Sequence, residues 1–356
     1  MLSEKEIQRY DRQMILPSFG KEKQEKLKAA SVLVIGAGGL GCPALQYLAA
    51  AGVGRIGIVD GDIIEASNLH RQILYNSSDI GANKAAKAAE KINALNPFVK
   101  TDIYGEHLTT ENALEIISGY DIILDGTDNF PTRYLINDAC VILGKPNVFA
   151  SISEFSAQIS VFNFSTQAQR GVNYRDLYPT PPASGEVPSC AEAGVIGALP
   201  GIAGTTQAME AIKLITGIGT PLIDKLWIYD TLNNNSHIIE LSIDSAQTPI
   251  CELINYELFC GNPENIEEIE AAVLQKNMEN YQLIDVRTEE KHNNKNIGGL
   301  NIPIDELQKK LKDLDKNKTY VLYCSSGNKS KRATEILLEN GFENVLSLKG
   351  GLNNYH

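Results

Sequence analysis

The sequence predicts an α/β protein: a doubly wound, mostly parallel sheet with an antiparallel extension, followed by a second, smaller α/β domain. Three observations carry this. Aliphatic strands alternate with helical segments between residues 31 and 128. After about residue 147 the alternation gives way to hairpin-like segments, and from about 264 a second set of alternating strands and helices begins. A chain of 356 residues is also longer than one typical domain and suits one large and one small unit.

Taken in order, residues 3–29 read as helical, with a break at Pro17–Gly20. Strand "VLVIGAGGLG", helix "CPALQYLAAAG" and strand "RIGIVD" make one βαβ unit. Helix "NKAAKAAEKINALN", strand "VKTDIYG", helix "TTENALEIISG" and strand "DIILDGTD" continue the winding. "NVFASISEFSAQISVFNF" predicts an antiparallel hairpin, "YPTPPASGEVPSC" a loop and "AGTTQAMEAIKLITG" a helix, with strands in "LWIYDTLNNNSHIIEL" closing the part. We read residues 1–248 as the first domain, 249–263 as a linker and 264–356 as the second domain. The latter begins with a helix at "NIEEIEAAVLQKN" and continues through "QLIDVR", "IDELQKKLKDL", "TYVLYC", "KSKRATEILLENG" and "VLSLKG".

Composition narrows the function classes. A net charge of −12 argues against general binding to nucleic acid or anionic membranes. The apolar runs are short and broken by Gly and Pro, so no membrane span is expected, and the charged start "MLSEKEIQRYDRQ" lacks a signal-peptide pattern. Six cysteines without a repeating framework fit a reducing cytoplasm with some reactive or buried thiols.

The stretch "SVLVIGAGGLG" runs a buried strand into Gly36, Gly38, Gly39 and Gly41, the G-x-G-x-x-G turn of a Rossmann-like fold that lays phosphate on a helix N-terminus. Asp60 ends the next strand 19 residues after Gly41, where a carboxylate hydrogen-bonds ribose. These features support an adenosine-containing ligand without separating NAD from ATP. A triphosphate carries roughly twice the charge of a dinucleotide pyrophosphate and needs cations and a metal. "SNLHRQ" offers Asn68, Arg71 and Gln72, Lys84 opens a helix, and "DGTDN" places Asp125 and Asp128 at a strand's carboxyl end. This set favours ATP with magnesium over NAD. For each residue a structural role is the alternative: a solvated surface charge for the cations, and for Asp128 a cap on the helix near Pro131.

"RYDRQMIL…VLVIGAGGLGCPALQYLAAAGVGRIGIVDGDIIEASNLHRQ…GTDN" resembles the ThiF/MoeB/HesA family, relatives of ubiquitin-activating enzymes, over roughly residues 3–245. The resemblance implies ATP·Mg²⁺-dependent adenylation of the C-terminal Gly-Gly carboxylate of a ubiquitin-like sulfur carrier. It implies Asp60 on the ribose, Arg71 and Lys84 on the phosphates, Asp128 on magnesium, and Asn68 and Gln72 lining the pocket. Arg12 matches an arginine that reaches a partner subunit's nucleotide, which implies a homodimer. Cys190, in a Pro-rich loop before a helix, matches a cysteine that attacks the acyl-adenylate or joins a persulfide relay; the alternative is a buried small hydrophobe. Family members bind structural zinc through two C-x-x-C pairs, but Asn173 and Asp176 in "NYRD" stand at the first, and Cys251 and Cys260 near the second are not so spaced. No structural zinc is expected, the loop being held by packing instead.

Cys324 follows an aliphatic strand and precedes the small, polar Ser325–Ser330 stretch, a loop able to aim backbone N–H groups at a thiolate or persulfide, with Lys329, Lys331 and Arg332 adding positive potential. A buried strand-end cysteine is the alternative. With "LIDVRTEEK", "NIGGLNIP" and "VLSLKGGLNNY", residues 264–356 resemble a rhodanese domain, whose matching cysteine carries sulfane sulfur; Asp285 and Arg287 then organise the fold. Lys329 stands where an arginine is common.

Together the two resemblances imply adenylation of a carrier, then sulfur transfer from a Cys324 persulfide to make a thiocarboxylate, with an upstream donor such as a cysteine desulfurase. Such carriers serve molybdopterin, thiamin or tRNA-thiolation routes, among which the residues do not select. Two other classes stay open at this point: a non-catalytic module binding a ubiquitin-like protein, and an NAD-dependent oxidoreductase, which would leave Arg71, Lys84, Asp128 and the second domain unused.

Overall fold

The computed structural model describes residues 1–165, 170–182, 194–245, 249–260 and 266–355. The chain forms two compact units: residues 1–180 and 194–254 belong to the first, and residues from Asn255 onward, with Pro181 and Pro182, to the second.

In the first, helices α1 (Glu4–Met14) and α2 (Gly20–Ala29) precede strand β1 (Ser31–Ile35), α3 (Gly41–Ala51) and β2 (Arg55–Val59). Then come α4 (Lys84–Leu95), β3 (Lys100–Tyr104), α5 (Ala113–Ser118), β4 (Ile122–Asp125), α6 (Phe130–Leu143) and β5 (Asn147–Ser153). The unit closes with β6 (Ser156–Phe162), α7 (Tyr174–Leu177), α8 (Ala198–Thr216), β7 (Lys225–Asp230) and β8 (Asn235–Glu240). The sheet order is β3-β2-β1-β4-β5-β6-β7-β8. Pairing is parallel from β3 to β5 and antiparallel from β5 to β8, as the change of sequence style predicts. Strand order reverses between β1 and β4, so their carboxyl ends flank the crevice where open α/β sheets take ligands.

β1 reads as a continuous aliphatic run because both faces are covered; Val32, Leu33 and Val34 have no exposed surface. Helix α8 starts at Ala198, five residues before the expected Ala203, and carries Pro200 in its first turn, where the missing N–H costs nothing. Helix α5 is shorter than expected, because Asn112 Oδ1 accepts from Thr109 N (2.8 Å) and holds the preceding residues in a turn.

In the second unit, α9 (Tyr256–Phe259), β9 (Glu268–Ile269) and α10 (Ala271–Lys276) lead into β10 (Gln282–Asp285), α11 (Glu289–Asn294) and β11 (Leu300–Asn301). Helix α12 (Ile304–Lys310), β12 (Tyr320–Tyr323), α13 (Asn328–Glu339) and β13 (Val345–Leu348) complete it. The five strands are all parallel, in the order β11-β10-β12-β13-β9. One expectation fails here. The helix read from "NIEEIEAAVLQKN" is confined to Ala271–Lys276, and Glu268–Ile269 instead pair with Ser347 and Leu348 at the sheet edge. Glu and Ala favour a helix locally, but Ile269 gains a buried seat, and Glu268 and Glu270 meet Lys331 (3.1 Å) and Lys349 (2.6 Å).

Candidate functional sites

The glycine turn leaves β1 beside the end of β4. Gly36 has φ +91°, and a Cβ there would lie 2.7 Å from Gly126 O. A Cβ on Gly41 would lie 1.9 Å from Gly36 O, so α3 can begin where it does only with glycine. Gly38 differs: a Cβ would meet nothing nearer than Gln72 Nε2 at 3.5 Å, and its φ lies outside the left-handed range. The fold therefore requires Gly36 and Gly41, whereas at Gly38 glycine leaves room for something outside the chain. At Gly39 a Cβ would lie 3.2 Å from Pro200 of α8 and 3.7 Å from Arg71 Cδ, which sets the arginine beside the turn. No side chain caps the start of α3; Cys42 N donates to Gly38 O (2.9 Å) and Pro43 carries no N–H, so the turn itself occupies the helix start.

Asp60 is tied to this turn: Oδ2 accepts from Ala37 N (2.8 Å) and Oδ1 from Asp62 N (2.9 Å). Burial pushes its carboxyl above the ordinary range, opposed by Lys84 and those two N–H groups. Lys84 opens α4 behind its N-cap Asn83, and its buried ammonium stands 2.8 Å from Asp62 Oδ2. Tyr75 donates to Ala37 O (2.9 Å) and sits 3.2 Å from Lys84 O, clamping turn to helix. Asn68 is nearly buried and takes Glu65 N (3.1 Å) on Oδ1. Among the described residues Gln72 Oε1 is buried and accepts no hydrogen bond. Arg71 donates to Ser67 O (3.1 Å) and His70 Nε2 (2.7 Å) and makes no ion pair among the described residues. An open glycine at Gly38 and, beside the turn, an arginine without a carboxylate partner among the described residues fit a phosphorylated nucleotide.

The two aspartates of "DGTDN" separate. Asp125 is wholly buried, its Oδ1 accepting from Thr127 N (3.0 Å) and Thr127 Oγ1 (2.5 Å), with Arg133 Nε 3.6 Å from Oδ2. Burial raises its carboxyl, against the pull of Arg133 and Thr127. Gln207 of α8 donates to Asp125 O (2.7 Å) and Val148 O (2.9 Å), fixing the strand end. Asp128 is exposed beyond this braced turn. The capping role considered for it belongs to Asn129, whose side chain accepts from Thr132 N (2.9 Å). Of the two carboxylates, only that of Asp128 is exposed. Arg12 is exposed in the last turn of α1, and no hydrogen bond or ion pair ties it to this cluster among the described residues. Cys190 lies outside the described residues.

At the position considered for zinc, Asn173 caps α7 through Arg175 N (2.9 Å). Asp176 accepts from Asn173 N (2.8 Å), Asp244 N (2.9 Å) and both Arg170 nitrogens (2.6 and 2.8 Å). Burial works to raise Asp176, but these bonds outweigh it and hold the carboxyl below its usual value. An ion pair and its hydrogen bonds, rather than packing alone, tie this loop. Among the described residues no group of three or more His, Cys, Asp or Glu side chains could hold a metal ion.

In the second unit Cys324 directly follows β12, almost wholly buried, with Gly327 N donating to Sγ at 3.1 Å and Ser330 Oγ at 3.7 Å. Gly327 has φ +94°, and a Cβ on Gly351 would lie 2.5 Å from Cys324 O, so glycines shape both walls of the loop. The positive potential expected of three side chains is reduced: Lys331 pairs with Glu268 (3.1 Å) and Arg332 with Glu335 (2.7 Å). Lys329 is exposed and makes no ion pair among the described residues. Asp285 and Arg287 form a buried pair (2.6 Å), with His292 Nδ1 2.9 Å from Asp285 Oδ2 and Asn301 bonding Asp285 O (3.0 Å) and Arg287 O (2.9 Å). Burial works to raise Asp285, and the bonds from Arg287 and His292 outweigh it, holding the carboxyl low. These residues organise the strand end.

The sequence reading left out Asp62, Tyr75 and Gln207. A second aspartate two residues after Asp60 was the visible signal for the first, while nothing local marks Tyr75 or Gln207.

The pattern of the ThiF family matches residues 10–253, more than half of the chain. The chain belongs to the ThiF family. A rhodanese-like domain matches residues 270–356. This ThiF family member is 51% identical to a sulfur carrier protein adenylyltransferase of Thermus thermophilus, covering 73% of this chain and 98% of that one. It is 43% identical to a probable adenylyltransferase/sulfurtransferase MoeZ of Mycobacterium tuberculosis, over 99% of this chain and 93% of the relative. To the adenylyltransferase and sulfurtransferase MOCS3 of Arabidopsis thaliana it is 38% identical, over 99% and 83%. Among solved structures, Escherichia coli MccB with ATP shares the fold of the first unit (TM-score 0.57, 23% identity, 68% of this chain and 73% of that chain). Among the described residues no helix is long and apolar enough to cross a membrane.

Proposed function

We propose that this protein uses ATP to adenylate the C-terminal glycine of a ubiquitin-like sulfur carrier and then converts it to a thiocarboxylate with sulfur carried on Cys324. The observation that carries the reading is the union, on one chain, of a glycine turn flanked by Arg71 and Lys84 and a buried cysteine that accepts the Gly327 N–H. Relatives named for both activities match 99% of its length, which supports the union.

The carrier's carboxylate is ionised at neutral pH and needs no base to attack the α-phosphorus. Positioning and charge neutralisation are then what the chain must supply. Asp60 holds ribose hydroxyls, Gly38 admits the phosphates, and Arg71 and Lys84 offset the negative charge of departing pyrophosphate. Asn68 and Gln72 line the pocket, with Gln72 Nε2 on the side of the open Gly38. Asp128 would hold magnesium, which adds positive charge against the phosphate oxygens. Arg12, exposed and unpaired among the described residues, reaches the partner's nucleotide in a homodimer.

A persulfide on Cys324 then attacks the acyl carbon, AMP leaves, and an external thiol cleaves the resulting acyl disulfide to free the thiocarboxylate. An upstream enzyme such as a cysteine desulfurase charges Cys324, and Lys329 draws anionic partners to the loop. Carrying both steps on one chain raises the effective concentration of donor near acceptor. The reducing cytoplasm suits the free thiols this requires.

Mass spectrometry of a carrier incubated with ATP, magnesium and a sulfur donor tests the reading. The carrier gains the mass of sulfur for oxygen; Cys324→Ala abolishes the gain and Cys190→Ala retains it. A carrier that acquires AMP but never sulfur would overturn the second step.

A further inference from the structure

We infer that Asp62 is the resident counter-ion of Lys84, holding its ammonium until a nucleotide arrives and then yielding it to phosphate oxygens. This rests on the nucleotide site proposed above. The Lys84 side chain is only 8% exposed and its Nζ stands 2.8 Å from Asp62 Oδ2, while the Asp62 side chain is 55% exposed. A buried ammonium needs a nearby negative charge, whereas a half-exposed carboxylate can be released to water at little cost. The pair is therefore asymmetric: the lysine is fixed and its partner is replaceable.

The backbone sets this geometry. Asp62 N donates to Asp60 Oδ1 (2.9 Å), and Lys84 N donates to Asp62 O (2.9 Å). Asn83 Nδ2 donates to Asp60 O (3.2 Å) and Asp62 O (3.4 Å). Asp62 thus joins the carboxylate beside the glycine turn to the first residue of α4, and its charge falls on Lys84 by construction. His107 Nε2 lies 3.8 Å from Asp62 Oδ1, a second group able to meet the carboxylate once it leaves Lys84. Detaching Lys84 from Asp62 is then part of the cost of binding a polyphosphate, and that cost exists only while Lys84 is present. Asp62 is accordingly a positioning residue whose charge lowers nucleotide affinity and acts through Lys84.

Calorimetric titration of the full chain with ATP and with adenosine tests this in wild type, D62N, D62S, K84M and D62N/K84M. Both Asp62 variants should bind ATP about two- to fivefold more tightly, the range that an ordinary partly exposed ion pair spans, with adenosine affinity unchanged. In the Lys84→Met background the Asp62→Asn gain should vanish. ATP binding that D62N and D62S weaken or leave unchanged overturns the inference, as does a gain that persists without Lys84. Wild type that fails to bind ATP, or K84M that binds it equally well, overturns the nucleotide-site reading and the inference with it.

Discussion

Alanine at Gly38 should separate nucleotide binding from folding, and alanine at Gly41 should not. A Cβ on Gly38 makes one ordinary contact, 3.5 Å from Gln72 Nε2, and the backbone is outside the left-handed region. The folded state carries no strain, and a less flexible unfolded chain adds about 0.4–1 kcal/mol of stability. In a domain of this size that shifts the midpoint upward by no more than about 4 °C. On Gly41 the Cβ lies 1.9 Å from the carbonyl oxygen of Gly36, a backbone atom that cannot turn aside. Overpacking of that kind costs about 3 kcal/mol or more, lowering the midpoint by about 6–12 °C. The methyl at Gly38 occupies the space left for phosphate, so ATP affinity should fall at least tenfold, about 1.4 kcal/mol. Thermal unfolding without ligand and calorimetric titration with ATP read the two effects separately. A Gly38→Ala protein that binds ATP as wild type does, or that is as unstable as Gly41→Ala, would refute the assignment of the open glycine.

Asp176→Ala should destabilise the first unit by about 2 kcal/mol in thermal unfolding, because Arg170 and the N–H groups of Asn173 and Asp244 lose their shared acceptor. A chelator should leave that midpoint unchanged, since the side chains at the considered zinc position are engaged with one another. The second unit should lose stability in acid. Asp285 is held below its unfolded value, so its contribution is full above that value and disappears as pH falls through the lower folded one. Denaturant unfolding from about pH 6 to about pH 3 should show an acid decline that Asp285→Asn flattens; stability rising on acidification would contradict the pair's role.

Much of this architecture is legible because its signals are local. Gly36 and Gly41 answer to backbone contacts within the turn itself, and the paired strands β5 and β6 follow from alternation over neighbouring residues. What escaped depends on partners far along the chain. Glu268–Ile269 form a strand only because β13 offers an edge 79 residues on, at Ser347. Lys331 and Arg332 look alike as loop cations in sequence, but Glu268 and Glu335 engage both and leave Lys329. Asp125 and Asp128 are equivalent on paper; burial beside Thr127 and Arg133 makes the first a brace and leaves the second exposed. Lys84 was legible as a cation at a helix start, whereas its pairing with Asp62 emerged only from the fold.

Carrier-dependent exchange of labelled pyrophosphate into ATP tests the central claim most directly, since it reads reversible adenylation without requiring sulfur. The account predicts exchange only when a carrier ending in glycine is present, reduced about 10²–10³-fold by Lys84→Ala or Arg71→Ala and unaffected by Cys324→Ala. Tight ATP binding with no exchange in the presence of a cognate carrier would contradict it.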